Sequence, residues 1–74
     1  MKNELIKLMS TAFSIDISQI NEKTASTNTA RWDSINHLNL IITLEEHYGI
    51  KFSSDEIVEL VDFKAIEKCV KEKL

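Results

Sequence analysis

One glycine and one cysteine in 74 residues remove several kinds of function at once. A phosphate-cradling loop and a nucleophile elbow both need glycines clustered where backbone must turn sharply or approach a ligand, and the lone Gly49 supplies neither. The lone Cys69 excludes an internal disulfide framework and fits a reducing, cytoplasmic setting. Long apolar runs are missing too. The N-terminal MKNELIKLMSTAF is broken by charges, so neither a signal peptide nor a membrane span is expected. Nine basic residues against twelve acidic ones leave a net charge of −3, which opposes nucleic acid binding and favours basic partner surfaces.

Enough remains to fold. Hydrophobic residues make up 43% of the chain and charged residues 28%, the balance of one small soluble domain spanning residues 1–74 and no repeat or second domain. The apolar positions Leu5, Ile6, Leu8, Met9, Ala12 and Phe13 recur at helical spacing, predicting a first helix from about Lys2 to Phe13. Ile15, Ile17 and Ile20 alternate with polar residues, yet no second strand-like run exists to pair with them. An anchored loop with one helical turn is therefore expected. Asn21 to Arg31 is rich in Asn, Ser and Thr, whose side chains compete for backbone hydrogen bonds, and reads as a long crossover loop.

From Ser34 to Tyr48 the apolar residues cover more than half of the helical circumference, which predicts a central second helix touching several neighbours. Asn36, Asn39, Thr43, Glu46 and His47 form its polar stripe, and Gly49 stands where a positive φ ends a helix. Glu45 falls near the apolar arc, an inconsistency that the pattern leaves open. Ser53 and Glu56 form a capping box for a short third helix to Leu60. Asp62 caps a fourth, with Phe63, Ile66, Val70 and Leu74 on one face and Lys68, Lys71 and Lys73 near its C-terminus. The expected fold is all-α, a four-helix bundle with a long loop between helices one and two and a short helix three.

Within this frame Trp32-Asp33-Ser34-Ile35 is the informative segment. An Asp-Ser pair at a helix start usually does no more than cap it. The same position also presents a serine hydroxyl beside unpaired N–H groups and the positive end of the macrodipole, where a phosphate ester is well accommodated. Ser34 is thus the candidate for a phosphate-linked group. Trp32 is read first as closing the bundle beneath the crossover loop, a role compatible with its also marking a specialised site. His37, three positions after Ser34, is read as a surface histidine or as a contact to that phosphate. His37 and His47 lie about 15 Å apart along the helix, so no metal site is expected. Cys69 reads as a small buried hydrophobe, and Glu45, Glu46, Glu56 and Glu59 as solvated helix-surface carboxylates; no enzymatic activity is expected.

The order of a helix, a long loop, Asp33-Ser34-Ile35 heading a second helix, Leu44-Glu45-Glu46 near its end, then a short and a final helix resembles the acyl carrier proteins over essentially the whole chain. Residue-level likeness is specific only from Trp32 to Phe52. The resemblance implies that Ser34 is esterified by 4′-phosphopantetheine from coenzyme A through a Mg²⁺-dependent phosphopantetheinyl transferase, with Asp33 recognised by that enzyme. The arm's thiol, not Cys69, then carries an acyl group as a thioester between the enzymes of a fatty-acid-like, polyketide-like or other specialised pathway. Ile35, Leu38, Asn39, Ile41 and Glu46 then form most of the docking surface for loading ligases, acyltransferases and synthases, a role that a monomer fits, and the apolar seam of Ile35, Leu38, Ile57 and Leu60, first of all core, is also able to shelter cargo.

Ile35 replaces the family's usual leucine, a volume-conserving change that is tolerated. A specialised carrier is indicated instead by Asn36 and Asn39, which stand on a helix face that is acidic in fatty-acid carriers, and modestly by Trp32. Two other readings stay beside this one, an aminoacyl or peptidyl carrier loaded by an adenylating ligase and an unmodified helical interaction module. A helix-turn-helix DNA binder is disfavoured by the negative charge and the absence of a basic recognition helix.

Overall fold

In the computed structural model, which describes all residues 1–74, the apolar stripe of the N-terminal segment forms helix α1, Lys2–Phe13. Leu5, Met9, Ala12 and Phe13 turn inward, as their spacing predicts. The helix stops at Ser14, whose φ of 55° is left-handed, and the Ser14 N–H donates back to Ser10 and Thr11 carbonyls. A serine holds this strained position because the turn is tied on both sides. The Ile15 N–H donates to the Ser10 carbonyl at 3.2 Å, and the Ser10 hydroxyl donates to the Ile15 carbonyl.

The expected single helical turn is a 3₁₀ turn at Ile17–Gln19, capped by Asp16, whose carboxylate accepts from the Ser18 N–H. The crossover loop is irregular, as its composition predicts, but it is fastened. Thr24 is buried, and its hydroxyl accepts from the Asn21 N–H at 2.9 Å. Ser26 N–H donates to the Val61 carbonyl at 2.8 Å and Phe63 N–H to the Thr24 carbonyl at 2.9 Å, an isolated antiparallel bridge between Ala25 and Asp62. The loop is therefore fastened to the junction of the third and fourth helices and satisfies part of its backbone there.

Helix α2 runs Ser34–Tyr48 and ends on Gly49 at φ 66°, α3 runs Ser54–Glu59, and α4 runs Phe63–Lys73. The capping box at Ser53 and Glu56 is complete in both directions, and Asp62 accepts from the Ala65 N–H at 2.7 Å. The third helix stops one residue before the expected Leu60, which is buried in the core. Phe63, Ile66 and Val70 of α4 are buried with Leu60, whereas Leu74, expected on the same face, is exposed because the helix has already ended.

Helix α2 corrects the expectation most. Only Leu40, Ile41 and Leu44 are buried, mainly against α1, while Ile35, Leu38 and Ile42 are 73%, 54% and 53% exposed. The apolar arc is wider than the cover available, because α3 is a single short helix and shields only part of it. Glu45 resolves its own inconsistency. Its carboxylate turns back to accept the Phe52 N–H at 2.9 Å, holding the segment after Gly49 against the helix end.

Candidate functional site

The start of α2 is built by three neighbouring side chains. Asp33, in extended backbone, accepts the Asn36 N–H on its carboxylate at 2.9 Å. Its carbonyl accepts from the His37 N–H at 2.8 Å. Asn36 in turn donates its side-chain amide to the Arg31 carbonyl at 2.7 Å, which fastens the end of the crossover loop to the first helical turn. Ser34, the first helical residue, is exposed, and neither its own N–H nor that of Ile35 donates within the chain. An exposed hydroxyl beside two free N–H groups at the positive end of a fifteen-residue helix suits a phosphodiester.

Trp32 is buried under the loop. Its ring packs on Phe13 at 5.0 Å between centroids and on the His37 imidazole at 6.2 Å. The closing role read from the sequence is the one the structure shows. His37 is neither of the two things expected of it: it is half-buried, and both ring nitrogens are occupied within the fold. The indole N–H of Trp32 donates to Nδ1 at 2.9 Å, and Nε2 lies 2.8 Å from the Ile57 carbonyl oxygen. A carbonyl only accepts, so Nε2 carries the proton and the ring is the neutral Nε2–H tautomer. Nothing is left on the imidazole for a phosphate.

Beside Ser34 lies an open groove of about 400 Å³ between α2 and α3, lined by Trp32, Leu38, Ile57, Val58 and Val61. Two of the four residues expected to line this seam are in place, Leu38 and Ile57. Ile35 projects into solvent away from the groove, and Leu60 is 2% exposed in the core. Val58 and Val61, 74% and 47% exposed, take their places. Val58 was legible in the sequence, since a helix as short as Ser54 to Leu60 cannot bury apolar side chains on all sides, whereas Val61 lies past the end of α3 and carried no such signal.

Asp33 just before α2, and Ser34, Ile35, Leu38, Asn39 and Glu46 on it, all reach the surface, but Ile41 does not. At 3% exposure Ile41 belongs to the core, and Ile42, one residue on, faces outward in its stead. A one-residue step turns a helical side chain by about 100°, enough to exchange core for surface. Cys69 on α4 is half-buried, and burial with the Glu56 carboxylate 3.7 Å from its sulfur pushes the thiol up. It is the wrong environment for a nucleophile.

The fold and site together define a small helical bundle that displays one serine hydroxyl at the head of its second helix beside an apolar groove. The NMR structure of holo acyl carrier protein from Geobacter metallireducens superimposes with a TM-score of 0.85 and 31% sequence identity, over 96% of this chain and 82% of that one. No protein-family model and no curated protein matches the sequence. The chain belongs to the acyl carrier protein family, and this likeness supports a carrier role. No helix is long and apolar enough to cross a membrane.

Proposed function

We propose that residues 1–74 form one acyl carrier domain that is phosphopantetheinylated on the Ser34 hydroxyl and passes thioester-bound acyl intermediates between the enzymes of a specialised biosynthetic pathway. The observation that carries the reading is the exposed Ser34 at the first position of α2, with its own and the Ile35 N–H unpaired and Asp33 fixing the helix start. When bound, the arm supplies a flexible thiol; the chain's own residues anchor its phosphate, through the two free N–H groups, and present it. Asp33, already engaged with Asn36, keeps its remaining acceptor capacity on the surface for the transferase.

Partners dock, on this reading, on Ile35, Leu38, Asn39, Ile42 and Glu46, an apolar surface with few charges. Specificity then comes from shape and hydrogen bonding more than from long-range steering. A monomeric cytoplasmic protein suits this role, since one face must meet several enzymes in turn. An aminoacyl or peptidyl carrier uses the same serine and differs only in the ligase that loads it. An unmodified interaction module keeps function in Ser34→Ala.

The test is intact-protein mass spectrometry after incubation with coenzyme A, Mg²⁺ and a broad-specificity phosphopantetheinyl transferase. The expected result is a gain of one phosphopantetheinyl group that Ser34→Ala abolishes without loss of helicity. No gain on folded protein with several transferases leaves the interaction module as the better account.

A further inference from the structure

The α2–α3 seam beside Ser34 is bolted shut from within. The Trp32 indole donates to His37, and His37 donates across to the Ile57 carbonyl on α3, one continuous chain of hydrogen bonds from loop to α2 to α3. Beneath it the Trp32 ring rests on Phe13, and Phe13, Leu40 and Leu44 have no exposed surface. A chain entering the bundle between these helices must break both bonds, strand the indole N–H and the Ile57 carbonyl, and displace a packed aromatic pair. The groove outside needs no such opening. Ser34 lines it directly, together with Leu38, Val58 and Val61.

We propose that Trp32 and His37 form a latch that closes the bundle interior, so that an aliphatic cargo tethered at Ser34 lies in the outer groove against Leu38, Val58 and Val61. This rests on the reading of Ser34 as the attachment point. Its consequence is a cargo held at the surface, where a partner enzyme takes it without first opening the core. His37 is in this account a positioning residue that touches no reacting atom.

The test bypasses the transferase, so that its failure is distinct from failure of the phosphopantetheine reading. Ser34→Cys/Cys69→Ser protein is labelled with butyl, octyl and dodecyl methanethiosulfonates; the thiolate displaces sulfinate and forms a mixed disulfide at position 34. Methyl resonances are then followed by NMR. The expected result is that Leu38, Val58 and Val61 shift while Leu40, Leu44 and Ile66 stay unmoved for all three chains. In the same protein carrying His37→Leu, the core methyls begin to shift as the chain lengthens, a response that a merely stabilising histidine does not produce. Core shifts that grow with chain length in the protein retaining His37 overturn the proposal. So does an absence of groove shifts, or a folded His37→Leu protein whose core stays silent.

Discussion

At the scale of single residues, position along a helix decides whether an ionisable group is scaffold or surface. Glu45 and Glu46 are adjacent and chemically identical, yet Glu45 accepts the Phe52 N–H at 2.9 Å and Glu46 is exposed with no partner in the fold. A hydrogen bond between a charged acceptor and a partly buried amide stabilises by about 1.5–3 kcal/mol. Glu45→Ala is therefore expected to cost about 2 kcal/mol in urea unfolding, Glu45→Gln less because its carbonyl still accepts, and Glu46→Ala no more than about 0.5 kcal/mol. Equal losses at the two positions would remove the role assigned to Glu45. Periodicity alone placed Glu45 near the apolar arc without saying why; its partner is seven residues away, across a turn. His37 was likewise half-legible: its register beside Ser34 was plain, whereas its two hydrogen bonds required knowing that Trp32 sits beneath it and α3 opposite it.

Helix boundaries are the most local feature of the structure and were the most legible in the sequence. Asp33, Ser53 and Asp62 each accept the N–H three residues on, and Gly49 closes α2 at φ 66°. No atom outside its own chain neighbours lies within 4 Å of where a Gly49 side chain would begin, so a substitution there meets backbone strain and no clash. Gly49→Ala is expected to lower stability by about 1 kcal/mol, with Gly49→Asn milder because asparagine tolerates the left-handed region. A larger loss from alanine would mean that the strain is not local. What element-level reading missed is the outer face of α2. The same spacing that marks Leu40, Ile41 and Leu44 as core marks Ile35, Leu38 and Ile42 as core, and only the placement of the neighbouring elements leaves the second set in solvent.

For the molecule as a whole, the chain ends are drawn in by charge. Lys73, next to last in the sequence, pairs with Glu56 at 2.9 Å and lies 5.6 Å from the centre of the Phe52 ring. Lys2 pairs with Glu22 of the crossover loop, and His47 faces Glu4 at 3.4 Å. The Ser53 N–H and then Lys73 hold the Glu56 carboxyl down to about 2. A carboxylate whose folded value lies below its unfolded one stabilises the fold above the unfolded value, near 4.5, and loses that contribution as pH falls toward 2. Thermal unfolding is accordingly expected to show a smaller drop in Tm between about pH 4.5 and pH 2.5 in Glu56→Gln than in the unsubstituted protein. Parallel curves for the two would show that Glu56 does not contribute to acid unfolding. Glu4, Asp16 and Glu22 are also held down, so the variant is expected to flatten the profile without abolishing it.

The sequence alone determined the helices, their caps, the crossover loop and the exposed serine that heads α2, because each depends on interactions within a few residues of chain: periodicity, an N-cap side chain, a left-handed stop. Tertiary structure alone decided which apolar residues of α2 are core and which are surface. It tied the crossover loop to the junction of α3 and α4 through Thr24, Ser26 and Phe63, and it spent both nitrogens of His37 on Trp32 and Ile57. These contacts join segments far apart in the chain. A hydrophobic pattern records that a side chain seeks burial; whether a neighbour exists to bury it depends on the lengths and placement of other elements, which no local pattern contains.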